Sequence, residues 1–185
     1  MPDTLPAAAP RRGLILLTLC LGPLLAQLDT SVVNLALAPI GGATGLGLGA
    51  LQWVVDGYNL AYALLLLTGG LLADLYGRRR VFQLGIAAFS LGCAVSGLAA
   101  GPAALILGRV VAGVGAALLL PASLALLRTI WAEPLARARA LGLWAGCNGL
   151  AFVLGPTLGG LLIQGAGWRG VFLVAPPVGA LAMLL

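Results

Sequence analysis

Long apolar stretches, separated by short polar punctuation, make up nearly the whole chain. Each has the roughly 20 residues that an α-helix needs to cross about 30 Å of hydrocarbon. After a polar, proline-containing start, residues 13–38 are apolar apart from Asp29, and residues 51–73 are apolar apart from Asp56. No charge appears over residues 81–108, where Gly101-Pro102 divides a third span, 81–100, from a fourth, 103–127, that contains Arg109. Residues 140–164 form a fifth span and residues 170–185 a sixth that stops within apolar sequence. The pattern predicts an all-α polytopic membrane protein with a tail at residues 1–12 and a six-helix transmembrane domain at 13–185. The sixth helix is truncated, so a longer protein with a further half is expected.

Charge placement gives the orientation. With the N-terminus inside, Arg11, Arg12, Arg78, Arg79, Arg80, Arg128, Arg137 and Arg139 fall in cytoplasmic segments and only Arg169 falls outside, while Arg109 lies within a span. Eight against one is the positive-inside pattern of a multi-pass cell-membrane protein with a cytoplasmic N-terminus. A cleaved signal peptide led by Arg11-Arg12 is disfavoured, because the apolar run is too long and lacks a small-x-small site before Asp29.

Composition narrows the function further. The chain is 61% hydrophobic and 8% charged with a mean hydropathy of +1.10, whereas a soluble domain carries about a quarter charged residues. Soluble-enzyme readings are excluded. A net charge of +5 raises nucleic acid as a partner, but the arginines sit in the loops between spans, where they mark the cytoplasmic face. Cys20, Cys93 and Cys147 lie far apart, and the chain has no histidine. No zinc site, disulfide framework, cofactor or catalytic residue is expected.

Three charges fall inside spans, where each costs several kcal/mol unless it is paired or faces a polar cavity. The helical rise puts Asp29 about 13 Å, Asp56 about 8 Å and Arg109 about 10 Å below the outer ends of their helices. At matched depths an aspartate and an arginine can offset one another's desolvation, and a proton or a cationic substrate can compete for the carboxylate. The alternative is a static pair that only fixes packing, and Asp56 is equally readable as an interfacial residue. Small residues four apart, at Gly113/Ala117, Gly142/Gly146 and Gly155/Gly159, predict close helix contacts, and Pro156 permits a bend.

Several segments together resemble the major facilitator superfamily, and within it the fourteen-helix drug:proton antiporters of the Emr/Qac type. The loop Gly70-Leu-Leu-Ala-Asp74-Leu-Tyr-Gly77-Arg78-Arg79-Arg80 resembles the superfamily's cytoplasmic loop motif. Residues 105–117 resemble its fourth-helix motif through Arg109, Gly113 and Gly115, with Ala112 in place of a common Gln. Gly155-Pro156-Thr157-Leu158-Gly159-Gly160 resembles the antiporter motif, with Ala151 at a preceding position that is usually Gly. Residues 28–37, around Asp29, resemble the first-helix motif of the drug antiporters, although Ala38 intervenes before Pro39. Trp53 and Tyr58, then Trp168, Arg169, Phe172 and Pro176-Pro177, fit the same pattern.

The resemblance implies the N-terminal half of a transporter whose partners are the lipid bilayer, protons, a small-molecule substrate and a second half. It implies that Gly70, Asp74, Gly77 and Arg78 latch the two halves, that Asp29 and Arg109 carry and relay the proton, and that Gly155, Pro156, Gly159 and Gly160 form the antiporter bend. The expected function is proton-coupled efflux of drugs or other amphipathic compounds. A dedicated exporter of one endogenous metabolite, or a non-transporting membrane scaffold, is the alternative. Tyr58, Tyr62, Trp53 and Trp144 are read equally as cation-stacking groups and as anchors or packing.

Overall fold

A computed structural model describes residues 9–184, with side chains from Arg12 onward. The described residues form α1 (Ala9–Thr44), α2 (Leu48–Tyr76), α3 (Arg78–Gly97), α4 (Pro102–Ile130), α5 (Pro134–Leu173) and α6 (Ala175–Leu184). The first five are long and apolar enough to cross a membrane, and α6 is a shorter apolar helix.

The helices outrun the expected spans because hydropathy reports the thickness of hydrocarbon, not where backbone hydrogen bonding stops. Helix α1 begins at Ala9, inside the segment expected to be a tail, and continues to Thr44 with Pro23 and Pro39 inside it. The rest of that tail, residues 1–8, lies outside the described residues. Helix α4 opens on Pro102, whose missing N–H is no loss in a first turn. Helix α5 opens on Pro134 behind Glu133, whose carboxylate accepts from the backbone N–H of Leu135 at 2.9 Å and of Ala136 at 2.5 Å.

The backbone breaks at Gly167, between the expected end of the fifth span at 164 and the expected start of the sixth at 170. There φ is +69°, a left-handed value that favours glycine. Residues 168–173 follow beyond the break and lead through Val174, itself in the right-handed helical region, into α6. Pro176 and Pro177 lack the N–H groups that would otherwise carry the i→i−4 ladder across this junction.

Helix α4 lies between α2 and α3, and α1 runs along α5, with α6 against α3. Glycines allow these approaches. A Cβ on Gly69 would strike the carbonyl of Ala117, on Gly92 the backbone of Gly108 and Ala112, and on Gly115 the backbone of Phe89. Where lipid supplies no hydrophobic drive between helices, such backbone proximity is the source of association. Of the expected small-residue pairs, Gly113/Ala117 and Gly155/Gly159 sit in contacts, whereas a Cβ added to Gly142 or Gly146 would meet no neighbouring helix within 4 Å. Large leucines such as Leu64 and Leu67 face outward.

The buried side chains form two apolar clusters. One, nearer the arginine-bearing end, includes Leu19, Ala26, Phe82, Phe89, Ala112 and Leu127. The other includes Val32, Ile40, Val54, Leu105 and Phe172. Along α1, Asp29 falls between Ala26 of the first and Val32 of the second; along α4, Arg109 falls between Leu105 and Ala112. The seam between the clusters therefore holds both charges.

Candidate functional site

Asp29 and Arg109 form an ion pair with Nη1 donating to Oδ2 at 2.6 Å, and their side chains are only 5% and 1% exposed. Arg109 Nε donates to the Val54 carbonyl on α2 at 3.0 Å. That carbonyl can serve the helix ladder and the guanidinium together, because it has two lone pairs. The guanidinium lies 4.5 Å from the Tyr58 ring centroid and 5.6 Å from that of Phe172, within cation–π range on both sides. Tyr58 is held in turn by its hydroxyl, which donates to the Ala26 carbonyl at 3.1 Å. Cys93 Sγ, on α3, stands 4.0 Å from Asp29 Oδ1. Residues from α1 to α5 thus converge on one carboxylate and one guanidinium. A charge-assisted bond of this kind, away from water, responds strongly to a single proton on the carboxylate.

Tyr58 also lines a cavity of about 90 Å³ with Gln27, Thr30, Asn59, Tyr62 and Ala116. Tyr62 stacks on Tyr58 with ring centroids 6.2 Å apart and planes 10° apart. No charged side chain lines this cavity. Among the described residues no three His, Cys, Asp or Glu side chains gather to hold a metal.

Asp56 is not brought to this site. It is half-buried on α2 and makes no ion pair among the described residues. Val54 presents its carbonyl to Arg109, and a side chain two residues further along a helix faces elsewhere. The depth of about 13 Å reckoned for Asp29 from the outer end of its helix needs correction, although the two charges do lie at one level. Asp29 is fifteen residues before the end of α1 at Thr44, or about 22 Å, and Arg109 is seven residues inside α4, or about 10 Å. They meet because α1 overhangs α4 at that end.

The loop motif forms a second, more exposed constellation. Gly77 joins α2 to α3 at φ +96°. Arg78 donates to Asp74 Oδ1 through Nη2 at 3.1 Å and Nε at 3.3 Å, and its Nη1 reaches the Ala125 carbonyl at 3.3 Å and Thr129 Oγ1. The loop is thereby tied to the last turns of α4, whose exposed carbonyls attract a cation. A Cβ added to Gly70 would make only ordinary contact with Pro121 Cβ, at 3.7 Å.

On α5 the motif residues separate. Gly155 faces Ser31 of α1, and Gly159 faces Val32, so a Cβ on either would collide. A Cβ added to Gly160 would meet nothing within 4 Å, and Pro156 is exposed. The backbone keeps helical angles through Pro156, and the departure comes at Gly167. A proline removes one ladder bond without obliging its neighbours to leave the helix.

Sequence reasoning missed Cys93, the Val54 carbonyl and Thr129. A signal for Cys93 existed: Ser90, Cys93 and Ser96 recur every three residues on the buried face of α3. A carbonyl acceptor leaves no such trace.

Residues 19–185 match the Major Facilitator Superfamily. The chain is 44% identical over 170 residues to the methylenomycin A resistance protein of Bacillus subtilis (strain 168), covering 92% of this chain and 36% of that protein. It is 41% identical over 175 residues to the puromycin resistance protein pur8 of Streptomyces alboniger (95% and 35%), and 42% over 166 residues to the cephamycin export protein CmcT of Amycolatopsis lactamdurans (90% and 34%). It spans about a third of the length of these relatives. Its fold matches a bacterial homolog of the human lysosomal transporter Spinster, inward-facing and occupied, with a TM-score of 0.82 at 25% identity over 96% of this chain and 45% of that one. The proton:xylose symporter XylE bound to 6-bromo-6-deoxy-D-glucose matches with a TM-score of 0.80 at 16% identity, over 93% of this chain and 43% of that one. This multi-pass chain, with its buried charge pair and glycine-packed helices, belongs to the major facilitator superfamily.

Proposed function

We propose that the chain is the N-terminal six-span part of a proton-coupled exporter of drugs or other amphipathic compounds, rather than an enzyme. The observation that carries this reading is the Asp29–Arg109 pair, buried beside the Tyr58 cavity. When Asp29 is ionised, its bond to Arg109 closes the seam between α1 and α4. When it takes a proton, Arg109 keeps the Val54 carbonyl and the Tyr58 ring but loses its counter-charge, and α1 is free to shift. Substrate leaning on Tyr58 or Tyr62 acts on the same guanidinium through the ring between them. Two ligands that bias one two-state element are coupled by their differential affinity for its states.

The arginine-bearing ends face the cytoplasm of the cell membrane in this reading, with residues 1–12 inside. Residues 13–38, 51–73, 81–100 and 103–127 cross the membrane, the fifth crossing lies within 140–164, and the sixth runs from Trp168. Gly70, Asp74, Gly77 and Arg78 form an inner latch. Asp74, bound to Arg78 but with a side chain 63% exposed, is the arm of the latch that faces outward. Gly155 and Gly159 provide the surface on which α5 slides over α1, and Asp56 takes no part in the relay. The names of the resistance and export relatives support efflux. That of the cephamycin exporter also supports the narrower reading, a dedicated exporter of one metabolite.

The test is accumulation of dyes and antibiotics by an efflux-deficient host expressing the full-length gene. Lowered accumulation of several unrelated compounds supports multidrug export, and protection against a single compound supports the narrower reading. Accumulation unchanged for every compound, in cells with the protein in the membrane, overturns export.

A further inference from the structure

Helix α2 grips the charge pair at two points one turn apart. The Val54 carbonyl accepts from Arg109 Nε at 3.0 Å, and Tyr58, four residues on and so on the same face, sets its ring 4.5 Å from the guanidinium. The tyrosine also reaches past the arginine. Its hydroxyl donates at 3.1 Å to the carbonyl of Ala26 on α1, three residues before Asp29. Thr30 Oγ1 donates to the same carbonyl at 3.0 Å, but a bond within α1 ties it to no other helix. Among the described residues, the Tyr58 bond is the one hydrogen bond that joins a side chain of α2 to α1. Tyr58 is 3% exposed, and a hydroxyl so deeply buried is costly to leave without a partner.

We propose that the Tyr58 hydroxyl is a positioning group of the proton site: it pins α1 at Ala26 so that Asp29 meets Arg109, and it keeps that hold when Asp29 takes a proton. This rests on the proton-coupled reading above. The two ties on this stretch of α1 differ in kind. The bond at Asp29 is between two charges and is lost with one proton, whereas the bond at Ala26 is between a neutral hydroxyl and a backbone carbonyl and survives it. Helix α1, released at Asp29, therefore tilts about Ala26 instead of withdrawing, and the carboxylate returns to the same guanidinium when the proton leaves. The other groups around the pair do not supply this hold. Arg109 faces Asp29 from α4, and the Cys93 thiol from α3 stands 4.0 Å away. Helix α5 presents the uncharged Phe172 to the guanidinium, and α6 carries no charged or titratable side chain among its residues Ala175–Leu184.

The test uses the full-length protein in liposomes, with a compound that the accumulation assay shows to be exported and a series of imposed pH gradients. Tyr58→Phe removes one oxygen and keeps the ring over Arg109 and against Tyr62. The expected result is gradient-driven transport with an unchanged KM and a pH midpoint about one unit higher, since a carboxylate less firmly placed beside its counter-charge holds a proton more readily. Tyr76→Phe, at an exposed tyrosine at the far end of α2, leaves the midpoint where it was. An unmoved midpoint in Tyr58→Phe overturns the positioning role, even if the rate falls. Transport by the unmodified protein that ignores the gradient overturns the proton-coupled reading itself, and this inference with it. A second measurement needs no transport and decides the matter if Tyr58→Phe is inactive. Thermal midpoints in detergent are compared for Tyr58→Phe in the unmodified chain and in the neutral Asp29→Asn/Arg109→Met background. The loss should fall to about half or less where no pair remains to be positioned, and equal losses in the two backgrounds overturn the proposal.

Discussion

Asp29 and Arg109, eighty residues apart in sequence, meet at 2.6 Å where two apolar clusters abut, and the Tyr58 ring closes the pair from one side. The position is costly to hold in ionised form and costly to break. Removing one partner leaves the other charge uncompensated among helices that cannot solvate it.

Arg109→Met therefore destabilises the bundle by about 3–5 kcal/mol, the scale for a broken buried pair. The double variant Asp29→Asn/Arg109→Met recovers most of this loss, since neither side is left charged. Unfolding midpoints in detergent for the two singles and the double check the coupling. Additive losses would contradict it.

The α1–α5 seam makes a positional prediction. Gly155→Val and Gly159→Val push against Ser31 and Val32 and cost about 1–3 kcal/mol each as overpacking. Gly146→Ala and Gly160→Ala meet nothing in this chain and are neutral or stabilising by up to about 1 kcal/mol through helix propensity. Thermal midpoints rank the four.

Gly77 holds a backbone angle of +96° between α2 and α3. Gly77→Ala costs about 1–3 kcal/mol as backbone strain. Arg78→Ala instead leaves the fold in place and frees the loop from α4. Hydrogen exchange over residues 74–80 distinguishes the two: global weakening in the first, a local rise in the second.

Glu133 gives a pH dependence outside the membrane spans. Hydrogen bonds from Ala136 first, then Leu135, hold its carboxyl below the usual glutamate range. A lowered value in the folded state means that the cap's contribution is present above the ordinary glutamate range and is lost as pH falls through the folded value. Exchange protection at the start of α5 should fall over that acidic window. Glu133→Gln should flatten the response.

Much of this was legible in the sequence, because hydropathy and charge placement report directly on lipid contact. The helical class followed from the length of the apolar spans, and the cost of charges in hydrocarbon called for an aspartate beside Arg109 without deciding between Asp29 and Asp56. Helix ends did not, since α1 runs past Pro39 to Thr44 and no hydropathy window registers the overhang. Asp56, like Asp29, is an aspartate within an apolar span, though nearer the interface, and only Asp29 reaches Arg109. Pro156 marks where a bend is permitted, but the left-handed angle within α5 is at Gly167, which no proline rule points to. Gly160 carries the same letter as Gly159, yet only Gly159 faces α1.

Reconstitution of the full-length Asp29→Asn protein in liposomes, with an imposed pH gradient and a transported dye, addresses the coupling role most directly. The seat proposed for the proton predicts that uphill, gradient-driven dye movement disappears while gradient-independent exchange of dye across the membrane persists. Gradient-driven transport at the unmodified rate in that variant would contradict it.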